Sequence, residues 1–163
     1  MRNYDVRRAA YADIPEIERI YAYARAFMKE HGNPTQWGAK NPPKEKLLTD
    51  IQKEQLYVIA SGKHICGVFA FILGEDPTYT DIDGTWSSQD DYGTIHRIAG
   101  NGAGGIFNTC LEFCLHRCSY IRIDTHANNR VMQHLIEKAG FRKCGIIHIE
   151  DGSPRIAYDL KRA

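Results

Sequence analysis

Four glycines fall within six positions at Gly100-Asn101-Gly102-Ala103-Gly104-Gly105, between a β-branched run and an amphipathic one. Backbone N–H groups in such a loop can crowd together with no side chains in the way, and a following helix adds the positive end of its dipole. Strand, glycine loop and helix N-terminus make a cradle for a diphosphate without any charged side chain. The chemistry expected at 97–107 is the holding of a nucleotide-bearing cofactor. On the strand leading into the loop, His96 is the obvious titratable group, because imidazole takes up a proton near neutral pH. Asp91 and Tyr92, where that strand starts, could relay a proton through water.

Periodicity supplies the elements that position these groups. Residues 3–8 alternate weakly and read as a first strand. Asp13-Ile14-Pro15-Glu16 has the spacing of a capping box with proline in the first turn. Apolar residues at helical spacing follow to about residue 30, and His31-Gly32-Asn33-Pro34 ends that helix. Pro42-Pro43 opens a second helix, to about residue 53. Runs at 56–60 and 65–73 flank Ser61-Gly62-Lys63-His64, a hairpin signature.

Residues 74–91 form a polar connection with six acids and no Lys or Arg. A strand at 94–99, the glycine loop and a helix follow. Cys110, Cys114 and Cys118 recur every four residues on that helix, which places small thiols on one core-facing stripe. A short strand at 121–124 precedes a helix at 129–139, stopped by Gly140. A final hairpin spans 141–149 and 155–160. The expected order is β-α-α-β-β-β-α-β-α-β-β, one α/β domain covering residues 1–163.

The totals bound the function. The chain has 163 residues, 43% of them apolar and 25% charged, with a formal net charge of +1. Near neutrality argues against a general nucleic-acid or membrane-surface binder. No apolar run approaches the ~20 residues of a membrane span, and no apolar signal core follows the N-terminal charges. A cytoplasmic location is expected, with no nucleic acid and no membrane among the partners. Five cysteines match neither a disulfide framework nor a zinc site, so no metal is expected.

Gly100-x-Gly102-x-x-Gly105 satisfies the dinucleotide fingerprint, and Asp124 lies 19 residues past Gly105, where a ribose-binding acid would sit. A nicotinamide-dependent oxidoreductase is therefore one alternative. Against it, only 39 residues follow Asp124 and they end in a hairpin rather than in further β-α-β units.

Downstream, Asn129-x-x-Met132-x-x-Leu135-Ile136-Glu137-Lys138-Ala139-Gly140-Phe141 resembles the N-x-x-A-x-x-L-Y-x-K-x-G-F segment of the GCN5-related N-acetyltransferase (GNAT) family. The element order over nearly the whole chain is similar to that family's. The resemblance implies a mixed, mostly antiparallel central sheet with splayed middle strands, flanked by helices. It implies that acetyl-CoA, as co-substrate, lies between the strands at 94–99 and 121–124, with its pyrophosphate on the loop at 102–107. The implied cofactor contacts are Ile98 and Ala99 through their backbone, then Gly102, Ala103, Gly104, Gly105, Ile106 and Phe107, with Asn129 and Arg130 from the later helix. Arg130, Lys138 and Arg142 are candidates for the ribose 3′-phosphate. Asn128 is the expected cap of that later helix.

The loop departs from the family's Q/R-x-x-G-x-G/A, since the matching positions are Gly102, Gly105 and Phe107 and only Gly105 fits. Phe107 stands where a small residue is usual and could shift the helix or narrow the site. Ile136 replaces the tyrosine that often protonates the departing thiolate. These departures keep a second class open, a non-catalytic acyl-CoA-binding or regulatory module. For the acceptor, the acidic connection would attract a cation, and Trp37, Tyr79 and Trp86 could wall a pocket or stack on an ammonium. His126 lies at the strand end facing the splay. The expected reaction is direct acetyl transfer to a primary amine of a small molecule or peptide, with His96 as the candidate base. A homodimer is left open.

Overall fold

The computed structural model of the protein describes residues 3–162. The chain forms β1 (Asp5–Arg8), α1 (Ile14–Glu30), α2 (Lys44–Gln52), β2 (Leu56–Ser61) and β3 (His64–Leu73). It continues through β4 (Asp83–Gly84), β5 (Gly93–Gly100), α3 (Ile106–Leu115), β6 (Tyr120–Thr125), α4 (Arg130–Lys138), β7 (Arg142–His148) and β8 (Pro154–Lys161). This is the order expected from periodicity, with one addition. The two-residue β4 lies inside the polar connection, too short to leave a hydrophobic period. Gly84 and Gly145 make its pairing with β7 possible, because a Cβ on Gly145 would stand 2.1 Å from the Asp83 carbonyl oxygen.

The strands make one sheet in the order β1-β2-β3-β5-β6-β8-β7-β4. All neighbours run antiparallel except β5 and β6. Five of the six residues of β2 are buried because helices cover both faces of the sheet there. Tyr57 and Ile59 face a cluster with Phe69, Phe107, Cys110 and Cys114 under α3. Leu56 and Val58 face α1 and α2 through Ile17, Tyr21 and Leu47. The cysteine stripe points inward as its spacing predicted, with Cys110 and Cys114 fully buried and Cys118 half-buried.

One local expectation is displaced by a turn. Asp13 does not cap α1 with its side chain. Its carboxylate accepts from the Ala10 N–H at 2.7 Å and pairs with Arg7, closing the short 3-10 turn at Tyr11–Asp13 instead. Adjacent turns compete for the same short acceptor, and the Arg7 partner tips the balance.

The polar connection is anchored rather than loosely solvated. The Arg122 guanidinium is buried with its carbon 4.0 Å from the ring centroids of both Trp86 and Tyr92, and Nη2 donates to the Ser88 carbonyl. Asp159 accepts from Ser87 and from Tyr120 Oη at 2.7 Å. Burial pushes the Asp159 carboxyl up, but these bonds outweigh it and hold the group below its ordinary value. Trp86 is spent on this cluster, with its indole N–H donating to the Tyr79 carbonyl. It lies in the core beneath the connection and is not a wall of the cleft described below.

Candidate functional site

β5 and β6 are hydrogen-bonded neighbours only where Gly93 faces Ile121 and Thr94 faces Arg122. Beyond those two pairs they diverge, so the backbone of each is left open to whatever enters the gap. A bulge on β5 exaggerates the opening. Val68 pairs with Ala99 and Ala70 with His96, so three steps on β5 match two on β3. Arg97, inside the bulge, has φ +54°, which is unusual for a residue with a side chain.

That conformation is held from two sides, one of them braced in turn. Tyr21 Oη donates to the Arg97 carbonyl at 2.7 Å. Arg97 Nε donates to Asp50 Oδ2 at 2.9 Å, while Nη2 lies 2.8 Å from the same oxygen as an ion pair. Asp50 Oδ1 accepts from Gln55 Nε2 at 2.8 Å. α1 and α2 thus set the shape of the strand bordering the gap.

The gap opens into a cleft of about 640 Å³ lined from β5, β6, α2, α4 and the start of the polar connection. His96 is half-buried on its border, and its Nε2 lies 2.7 Å from Asp76 Oδ2. Burial raises the Asp76 carboxyl, but bonds from His96 and Thr78 overcome it and bring the group down to about 2. An ionised carboxylate only accepts, so Nε2 carries the hydrogen and a neutral ring keeps its lone pair on Nδ1. That is the tautomer a base needs.

The depressed value carries a stability consequence. A carboxyl lowered by folding contributes stability that is complete above its ordinary 3.8 and disappears as pH falls through about 2. Across that window the wild type is expected to lose on the order of 1 kcal/mol more than Asp76→Asn. Urea denaturation at stepped pH measures it, and parallel curves would contradict the assignment.

Asp124 follows on the same face of β6. It accepts from Tyr79 Oη at 2.6 Å, and burial pushes its carboxyl up. Tyr79 is fully buried, with its ring centroid 6.3 Å from that of His96. Tyr79 therefore supports the floor of the cleft from beneath, where it was expected to line a pocket. Asp124, the ribose acid of the dinucleotide alternative, is engaged by this phenol. The parallel pairing that alternative requires also stops after β6.

The glycine loop stands at the far end of β5. Gly102 and Gly105 adopt φ of +93° and +82°, and Gly105 occupies the N-cap of α3 without a capping side chain. The Ala103 N–H is taken by Asn101 Oδ1, and Tyr4 Oη donates to the Gly104 carbonyl at 2.7 Å. Among the described residues the Gly102, Gly104 and Gly105 N–H groups have no hydrogen-bond partner. The first N–H groups of α3 also have no intrahelical acceptor. Nothing lies within 4 Å of where a Cβ on Gly104 would stand. The Tyr23 hydroxyl would stand 2.7 Å from a Cβ on Gly102, so the room lies over Gly104, and open donors there at the head of a helix fit a diphosphate.

Ile106 and Phe107 are buried, and the Phe107 ring packs against Phe141 at 6.4 Å between centroids. Phe107 therefore fills the core and does not narrow the site; only its backbone can face a ligand. Ile98 is half-buried and borders the cleft, while Ala99 is buried beside Val68.

Asn129, not Asn128, caps α4: its Oδ1 accepts from the Met132 N–H at 3.1 Å and its Nδ2 donates to Gln36 Oε1. The Asn128 N–H instead donates to His126 Nδ1 at 3.0 Å. Accepting there needs a neutral ring, and burial together with nearby Arg155 holds the His126 imidazole below its ordinary value. His126 does not border the cleft, whereas Trp37 does, edge-on to Tyr21.

Arg130 is exposed at the first turn of α4. Lys138 is exposed at that helix's other end, and Arg142 is tied to Ser87 and the Thr85 carbonyl. Ile136 is fully buried. Sequence reasoning missed Asp76 as the partner of His96, the Asp50–Arg97 pair and Arg155. The available signal was a charge at an inward position of an otherwise apolar strand, as at Arg155 and Asp159.

No family model and no curated protein matches the chain. Solved structures do. A GNAT-family acetyltransferase from Streptococcus agalactiae is 26% identical, covering 98% of this chain and 96% of its own, with a TM-score of 0.87. An acetyltransferase from Staphylococcus aureus Mu50 is also 26% identical over 96% of this chain and 97% of its own, at a TM-score of 0.69. The Salmonella typhimurium acetyltransferase yncA, solved with its cofactor acetyl-CoA, shares the fold at 15% identity, with coverage of 97% and 93% and a TM-score of 0.63.

Proposed function

The chain belongs to the GNAT family of acetyltransferases, and from that premise we propose that it moves an acetyl group from acetyl-CoA directly to a primary amine of a small molecule or peptide. In this reading residues 1–163 act as one acetyltransferase domain. The observation that carries it is the combination of a two-pair β5–β6 contact, a bulge at Arg97 and open N–H groups at the head of α3.

The parts take the following roles. The glycine loop from Gly102 to Gly105, with the backbone of Ile106 and Phe107, holds the diphosphate. Backbone groups of Ile98 and Ala99 along the diverging strand face the pantetheine arm and the thioester, with Asn129 across the gap and Arg130 near the phosphates. His96 Nδ1 takes the proton of the acceptor ammonium, and Asp76 keeps the ring oriented and stabilises the imidazolium. The free amine attacks the thioester carbonyl, the tetrahedral intermediate gives its remaining ammonium proton to water, and the oxyanion collapses with cleavage of the C–S bond to give amide and thiolate. Ile136 offers no proton, so water supplies it to the thiolate.

The lack of a side-chain acid at Ile136 also favours one rival, a module that binds acyl-CoA without turning it over. Calorimetry with acetyl-CoA, CoA and NADH separates the cofactor classes, and thiol release across an amine panel separates enzyme from sensor. Acetyl-CoA binding and release of free thiol are expected. Binding of NADH without CoA would overturn the reading.

A further inference from the structure

Arg155 is a cation the fold has buried without a close counter-charge. Its residue is only 6% exposed, and it borders the cleft. Nη1 donates to the Pro154 carbonyl at 2.8 Å and to Ser153 Oγ at 3.2 Å. Among the described residues, Nε and Nη2 have no hydrogen-bond partner, and no carboxylate lies within salt-bridge distance. Asp124 and Asp151 feel its charge from farther away, and His126 is repelled by it. The side chain is mostly buried while these two nitrogens keep contact with solvent in the cleft it borders, so the open edge of a planar guanidinium fork is available there to an anionic ligand.

Strand register places this cation on the same face of the sheet as the candidate base. Thr94 pairs with Arg122 across β5 and β6, so His96 and Asp124, two residues further along each strand, share a face. Asp124 pairs with Ala157, which puts Arg155 on that face of β8. His96, Asp124 and Arg155 thus share one face across three neighbouring strands, with Arg155 two residues along β8 from the partner of Asp124 and β5 diverging from β6, so the backbones at the two ends stand more than about 10 Å apart. Side chains reaching inward from both ends shorten the gap.

We propose that Arg155 binds the carboxylate of the acceptor, so that the acceptor is a free α-amino acid whose amino group is presented to His96. This rests on the acetyl-transfer reading above and narrows its acceptor to one class. The carboxylate takes the planar fork of the guanidinium in a two-point contact, which fixes orientation as well as charge. The cationic ammonium lies toward Asp76 and Asp124. Loss of its proton to His96 leaves the nucleophile held at its other end.

The test compares alanine, methionine, phenylalanine and glutamate with their α-amides as acceptors. For the wild type, kcat/KM for at least one acid should exceed that for its amide by about 100-fold, because the amide leaves the buried cation unanswered. In Arg155→Gln that ratio should fall toward one, and in Arg155→Lys it should be intermediate, with acetyl-CoA affinity within about twofold throughout. Being internal to each variant, the ratio is insensitive to partial loss of folded protein. Equal use of acid and amide by the wild type would overturn the inference and leave acetyl transfer standing.

If no acceptor is turned over, calorimetry with the same pairs, with and without CoA, reads the preference directly. Binding of an acid but not of its amide supports the carboxylate site, and binding of neither overturns it. A wild type that binds no acetyl-CoA removes the underlying reading, a result distinct from either.

Discussion

Asp50→Ala is expected to cost about 3–5 kcal/mol of stability, the largest effect of any single substitution around the cleft. Asp50 is 1% exposed, and its two oxygens answer Arg97 on one side and Gln55 on the other. Removing it leaves the Arg97 guanidinium, itself mostly buried, with no counter-charge in a place water reaches poorly. The same change frees the side chain that holds Arg97 at φ +54°, a conformation the residue would otherwise leave. Both the folding equilibrium and the bulge are therefore at stake. Urea denaturation measures the first, and acetyl-CoA titration of the folded fraction measures the second.

The double variant Asp50→Ala/Arg97→Met should recover much of the stability, because it buries no unpaired charge. It should not recover acetyl-CoA affinity, since the tether on the bulge is still missing. A single variant within about 0.5 kcal/mol of wild type would show that the pair is not coupled to the fold.

His96→Ala is expected to lower kcat by about 10²–10⁴-fold, the range a positioned general base supplies. Acetyl-CoA affinity should stay within about twofold, since the imidazole is assigned to the acceptor and not to the thioester. A stopped thiol-release assay with saturating acetyl-CoA reads the difference. Asp76→Asn should show a smaller loss, because the ring remains but can be held in either tautomer. Unchanged turnover in His96→Ala would remove that residue from the mechanism and leave proton loss to water. The pair of variants also separates roles: a purely structural contact would lower stability in both without splitting their turnover.

Much of the fold was legible along the chain because its causes are local. Hydrophobic period, the hairpin at Gly62 and the stop at Gly140 each depend on a few neighbouring residues and their backbone preferences. The glycine loop could be read as an anion cradle for the same reason, since missing side chains and a helix start are both local facts. Short features that lack a period escaped, as β4 did, and so did the choice between two adjacent caps. Asn128 and Asn129 are equivalent acceptors by type, and distant partners distinguish them, Gln36 bonding the Asn129 side chain directly and His126 taking the Asn128 N–H.

The site itself was legible only as an unsorted set of residues. His96 was visible as a titratable group, but its partner Asp76 is 20 positions away, and the acidic connection looked like a uniform lure for cations. In the structure Asp76 pairs with His96 and Asp90 with Lys161, while Tyr79 and Trp86 turn inward. The proposed acceptor accordingly moves from a simple cation toward an amine that also carries a carboxylate.

By itself the sequence determined the order of elements, the loop that can cradle a diphosphate and the stripe of buried thiols. Tertiary structure alone decided that Arg97 would be held by Asp50 from 47 positions away, and that Tyr79 would engage Asp124 from 45. It also decided that Arg155 would share a face with His96. The physical reason is that strand register and the divergence of β5 from β6 set which distant side chains meet, and neither leaves a trace in the local pattern.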